Sequence, residues 1–383
     1  MTIYFSVIAC SIVVAIVSDQ ISNRSVSFLV RLVAIIPPAV VAGLRDLVIG
    51  TDIGNYGAFN FEAATRFSSL FDYLKYIKIN NKVEVGYSLI NYIVSRFTDS
   101  MGIFLFILNM LTLLFLVMAL GQFKGSMASW FGLFVYYFTM WGTSLNVMRQ
   151  SLAVTIVLWG MARYINNEKL IQFILIILLA MTIHQTAILG LFLVLIYKIF
   201  SQNFGIHHIV TLVLASGIIL FFLNPHNGLI ISIMRNIPVL GKYYTIFVQY
   251  GLKYITAGSG MSLKAISIQV LPTVLTLFLL ISEKRVTTKS RIPLKTFFIM
   301  SLFLTIVFEL VNINSGVLSR LGMYFSIIQV IAVPISLRNV LGVKKYIFAF
   351  LISMGLVVAF VITIRSGSGN LYPYTSQILE KIF

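Results

Sequence analysis

The chain has 383 residues, 59% of them hydrophobic and 10% charged, with a formal net charge of +17 at pH 7 and a mean hydropathy of +0.98. Ordinary soluble domains carry about 25% charged residues, so this composition excludes a soluble enzyme and leaves a multi-pass membrane protein. The basic residues lie singly at the ends of apolar stretches and in loops, a distribution that points away from nucleic acid and toward anionic lipid headgroups.

At roughly 20 apolar residues per crossing, spans are predicted near 3–18, 28–43, 101–121, 127–142, 147–164, 170–183, 185–200, 206–223, 264–282, 295–311, 321–337 and 346–364. The expected fold is therefore all-α: a polytopic membrane helix bundle forming one integral membrane domain over 1–383. The first stretch lacks the basic leader and small-residue cleavage site of a signal peptide, so it is expected to be retained. Cys10 is the single cysteine and falls inside it, which rules out a disulfide framework or a cysteine-rich metal site. The segment 86–97 (GYSLINYIVSRF) is apolar but too short to cross. It is expected to be a re-entrant or interfacial helix, tolerated where protein or water covers its backbone.

Orientation follows from short loops. The loop 283–295 holds Lys284, Arg285, Lys289, Arg291 and Lys295 against one acid and is expected on the cytoplasmic side. Alternation then places two long hydrophilic loops, 44–99 with its short helix and 224–263, on the outer side. Arg45, Arg149, His184 and Arg320 fall on that same side.

Each of these residues has an ordinary structural reading as well as a chemical one. Arg45, Asp52 and Tyr56 lie in a glycine-containing loop, and Glu84 opens the short helix; solvated loops carry such residues routinely. Arg149 and Gln150 begin a span, where a long side chain can snorkel to the interface. His184 sits at a tight turn, where histidines often cap or pack. Arg320 and Tyr324 are four residues apart, a spacing that puts both on one helix face.

Their order carries more than any one of them. Arg45, Thr51-Asp52 and Tyr56, then Glu84-x-Gly86-Tyr87, then Asn146-x2-Arg149-Gln150-x2-Ala153, then Ile183-His184-Gln185-Thr186-Ala187, then Ser319-Arg320-x3-Tyr324 together resemble the EpsG family of Wzy-type polysaccharide polymerases. One departure is Val85, where such families often carry proline after the loop glutamate. The resemblance implies a Wzy/ligase-like GT-C type bundle in the bacterial plasma membrane. It also implies an extracytoplasmic glycosyl transfer joining undecaprenyl-diphosphate-linked oligosaccharide repeat units for O-antigen, capsule or exopolysaccharide. On that basis Arg149, Arg320 and Arg45 are expected to hold the diphosphate, because a guanidinium fork pairs with phosphate oxygens and stays charged. Glu84 and His184 stand level as the base for the acceptor hydroxyl, with Asp52 behind them. Tyr56, Gln150, Tyr324 and Tyr87 are candidate substrate contacts. The scheme calls for no cofactor and no metal; a flippase and a chain-length regulator are the natural protein partners. Two other readings stay open: a lipid-linked oligosaccharide flippase or other transporter, and a ligase making a single transfer.

Overall fold

The computed structural model describes residues 1–199, 262–282, 294–311 and 320–380, apart from Lys82 and Glu168, together with isolated positions between 205 and 232. Most of the predicted span at 206–223, of the loop at 224–263 and of the basic loop at 283–295 lies outside the described residues. The fold is all-helical, with no strand among the described residues. Among the described residues, seven helices are long and apolar enough to cross a membrane, and two shorter apolar helices, Leu170–Ile183 and Gln185–Ile199, accompany them. The protein is a multi-pass membrane protein.

The described chain forms two compact units. The first comprises Met1–Phe192, Val333–Ile335 and Phe360–Phe383, and the second Leu193–Ala332 and Ser336–Ala359.

In the first unit, α1 (Thr2–Gln20) and the pair α2 (Arg24–Ala34) and α3 (Ile36–Leu44) form an antiparallel hairpin. α2 starts where Asn23 accepts hydrogen bonds from the N–H groups of Ser25 and Val26, satisfying two of the free donors at a helix start. Proline is placed in the first turn of α3, where its missing N–H costs nothing. α7 (Met101–Gly121) then runs back along α3, and α8 (Ser129–Tyr136) returns through a π-helical turn, Tyr137–Trp141, into α9 (Gly142–Asn146). At Val147 the backbone leaves helical geometry (φ −90, ψ 59). α10 (Met148–Asn167) and α11 (Leu170–Ile183) complete the antiparallel set.

The segment expected to be a long loop, 44–83, is largely helical: a π-helical turn at Ile53–Gly57, α4 (Ala58–Arg66) and α5 (Leu70–Asn80). The Ser69 hydroxyl accepts the Asp72 N–H, Asp72 lies in the first turn of α5 and Lys78 in the last, so cap and dipole both favour helix here. Tyr73 and Ile77 of α5 pack on Ala63 and Ala64 of α4 to make a small core of their own. The short apolar segment forms α6 (Val85–Ser95), 11 residues long.

In the second unit, Leu263–Ser282 and Leu294–Val311 pack as neighbours, and Pro272 within the former meets Gly355. Arg320 opens a 3-10 turn, Arg320–Gly322, that leads into the one-turn helix Met323–Ser326. The regular helix assumed for an i, i+4 pairing of Arg320 with Tyr324 is thus replaced by two different turns; Tyr324 is fully buried and Arg320 half-buried.

Candidate active site at one end of the first unit

Antiparallel packing brings α3, α6, α9, α10 and α11 to one end, and four separated sequence segments meet there. Glu84 is the N-cap residue of α6, yet its side chain does not cap its own helix. It reaches outward instead. One carboxylate oxygen pairs with Arg149 Nη1 at 2.5 Å, and the other accepts the backbone N–H of Gln185 at 3.1 Å. Glu84 therefore ties the start of α6 to the start of α10 and to the turn after α11. The α6 N-terminus adds favourable partial positive charge for the carboxylate.

Arg149 is placed by the break at Val147, which ends α9 and points the first turn of α10 into the cluster. Its guanidinium carbon lies 3.9 Å from the Tyr56 ring centroid and 5.5 Å from that of Tyr87. The two rings meet edge to face at 5.8 Å. A guanidinium over an aromatic face is held in plane by the ring quadrupole, so its remaining donors keep a fixed direction. Arg149 Nε is buried with no partner. Glu84 and Arg149 each keep 17% of their side-chain surface exposed, so the pair is reachable from outside.

Tyr56 donates its hydroxyl to Asp52 Oδ2 at 2.9 Å. Burial, reinforced by the Asp52 and Tyr87 oxygens, raises the Tyr56 phenol well above its ordinary range, so it stays a neutral donor. Asn146 fixes this turn from below: its Oδ1 accepts both the Thr51 hydroxyl at 3.0 Å and the Asp52 N–H at 3.3 Å. Gly50 has φ +94, and a Cβ there would stand 2.6 Å from the Leu145 carbonyl; only glycine fits. Gly86 is constrained differently: a Cβ would meet Thr182 Oγ1 at 2.3 Å, so its smallness lets α6 close on α11 and brings Glu84 within reach of Gln185.

His184 is the N-cap of the 3-10 turn Gln185–Leu189. Its Nδ1 accepts the Thr186 N–H at 3.4 Å and lies 2.7 Å from the Thr186 hydroxyl. Nδ1 is thus engaged by Thr186 within its own turn. Gln150 is buried beside Arg149. Arg320 and Tyr324 belong to the second unit. Arg45 turns into the bundle and is 4% exposed. Burial lowers it to about 10, with the Tyr4, Tyr374 and Tyr56 phenols opposing that shift; it remains a cation at neutral pH.

Sequence reasoning passed over two contributors. The Gln185 N–H is a backbone donor that no residue type signals. The second is the tail after Arg365, which straps the site loop from the side. Gly369 O accepts the Gly50 N–H at 2.7 Å, Thr375 O accepts the Asp46 N–H at 3.1 Å, and Asp46 Oδ1 accepts the Gln377 N–H at 2.9 Å. Ser376 and Tyr374 hydroxyls donate to the carbonyls of Leu44 and Val41 at 2.6 and 3.0 Å. The glycines and Asn370 of this tail, which adopts positive φ at 367, 369 and 370, were its sequence signal.

The family model described as "EpsG family" matches residues 28–376. No curated protein and no solved structure matches the chain. The matched region covers nearly the whole chain and contains every segment of the cluster just described. The chain belongs to the EpsG family, a Wzy-type polysaccharide polymerase family.

Proposed function

We propose that this protein is a polysaccharide polymerase that joins undecaprenyl-diphosphate-linked repeat units on the extracytoplasmic face of the plasma membrane. The observation that carries the reading is the Glu84–Arg149–Tyr56 cluster. It places a carboxylate beside an oriented guanidinium, at one end of a membrane helix unit and open to solvent.

In the reaction, the acceptor hydroxyl oxygen attacks the anomeric carbon of the donor chain, and the bond from that carbon to the phosphate oxygen breaks. Undecaprenyl diphosphate leaves with the bonding electrons, and the hydroxyl proton passes to a base. Charge grows on the leaving diphosphate, so preorganised cations lower the barrier. Arg149 is the first of these, its fork held by Tyr56 and its Nε still unpartnered. Arg320, which the sequence resemblance also assigns to the diphosphate, belongs to the second unit and is not part of this cluster.

Glu84 is the base. Its oxygens use one contact each, to Arg149 and to Gln185, and an ionised carboxylate has about four lone-pair positions, so capacity remains for the hydroxyl proton. His184 Nδ1 is engaged by Thr186 in its own turn, which favours Glu84 over His184. Asp52 orients Tyr56, and Tyr56, Tyr87 and Gln150 line the substrate side. Cationic side chains carry the charge in this scheme, without a resident metal.

The test is reconstitution of the purified protein with a defined lipid-linked repeat unit and sizing of the glycan, with and without chelator. A ladder of lengths is expected. A single added unit on a different acceptor would mean a ligase, and intact substrate moved across the bilayer a flippase.

A further inference from the structure

Arg45 poses a separate problem. It ends α3, and its side chain points between α3 and α7 rather than to the surface. Nη2 donates to the Met148 sulfur at 3.5 Å, a weak acceptor, while Nε and Nη1 are buried without a partner. Arg45 lines a small cavity together with Leu105, Asn109, Thr112, Ser144 and Met148, among others. Every one of these six is buried, and no acid lines the cavity. Asn109 Oδ1 also lacks a partner there; a half-turn of that amide exchanges the oxygen for an NH2 donor. The Ser144 and Thr112 hydroxyls are spent on the Trp141 and Leu108 carbonyls.

A guanidinium held away from water needs a counter-charge or a full set of hydrogen bonds. The C-terminal dipole of α3 supplies part of it, and the described residues supply no carboxylate in the cavity. We propose that this cavity is a binding site for a small inorganic anion of the chloride class, held by the Arg45 fork and the Asn109 amide. The site stands apart from the polymerase reading. Its link to the cluster is Met148, which lies against the cavity and directly precedes Arg149.

The experiment is thermal unfolding of the full-length protein in lipid nanodiscs, comparing chloride, bromide and gluconate salts at matched ionic strength. The expected result is a saturable rise in Tm with chloride or bromide, about 2 °C or more above gluconate. Asn109→Asp places a carboxylate beside the fork and should make Tm independent of halide, at or above the chloride value of the native protein. Arg45→Met should also abolish the dependence, and where that variant does not fold, Asn109→Asp carries the test. Equal Tm in chloride and gluconate would overturn the proposal and assign the cavity to water. A halide effect that persists in both variants would place the anion elsewhere. Stabilisation by inorganic diphosphate but not by chloride would return Arg45 to the substrate site.

Discussion

The first unit holds an arginine–carboxylate pair at each end, and the two are built to different standards. At the end away from the candidate active site, Arg31 pairs with Asp19 at 3.2 Å. Arg31 Nε donates to the Ser18 hydroxyl and Nη2 to the Ser27 hydroxyl, while the other Asp19 oxygen accepts the Trp130 N–H at the start of α8. Lys124 donates to the Ile21 carbonyl close by. The arginine of this pair is nearly sealed, at 3% side-chain exposure against 16% for its carboxylate, and its groups are shared among neighbouring helices. The Glu84–Arg149 pair has equal 17% exposures, an unpartnered Nε and aromatic rings where the other has hydroxyls. A satisfied buried pair joins helices and does little else. A pair held in place by rings but left short of hydrogen bonds has capacity for a ligand.

The largest effect that would break this contrast is at Glu84. Glu84→Gln keeps the size and the acceptor for Gln185 but removes the basicity, so the turnover of a reconstituted lipid-linked substrate should fall by about 10²- to 10⁴-fold, with Tm close to native. A rate within a few-fold of native would remove the carboxylate from the chemistry.

The sharpest comparison makes one substitution at both ends. Lysine keeps the charge and loses the planar fork. Arg149→Lys should cost about 10²-fold or more in turnover and little in stability. Arg31→Lys should do the reverse: turnover within a few-fold of native, with a stability loss of about 1–3 kcal/mol from the abandoned Ser18 and Ser27 hydroxyls. Activity assays and thermal unfolding on the two variants side by side read both. Equal losses of activity would mean the two pairs do the same job.

Gly86→Ala addresses how the open pair is held. The added Cβ would overlap Thr182, and α6 must move off α11, drawing Glu84 away from Gln185. Displacements of this kind are costly in rate; turnover should fall roughly 10-fold or more while expression persists. Native activity would show that the Glu84–Gln185 contact is incidental.

The sequence already carried the class of the fold and the residues of the cluster, because hydropathy and residue type are local properties. Glu84 and Arg149 could each be named from the motif order that carries the family resemblance. Their pairing could not, since it joins positions 65 residues apart, and Glu84 reaches Gln185 across 101. Helix order alone does not fix which ends share a corner; here the tight turns at Ile21, Val147 and His184 do so. The helices of 58–80 were hidden because their mean polarity masks the apolar period that buries Tyr73 and Ile77. The burial of Arg45 was hidden for a related reason: the sequence places it in a glycine-containing loop, and only the packing of α3 on α7 turns its side chain inward.

The smallest expected effect is at His184, which decides between a cap and a base. As the N-cap of Gln185–Leu189 it accepts the Thr186 N–H and so fixes the neighbouring N–H of Gln185 on Glu84. Asparagine is among the best N-cap residues and reproduces that acceptor without an imidazole. His184→Asn should therefore keep turnover within a few-fold of native, whereas His184→Leu, which cannot cap, should lose more activity and about 1 kcal/mol of stability. A loss in His184→Asn as deep as that of Glu84→Gln would mean the imidazole itself handles the proton. Glu84 would then hold Arg149 in position, and the open pair would owe its exposure to the diphosphate alone.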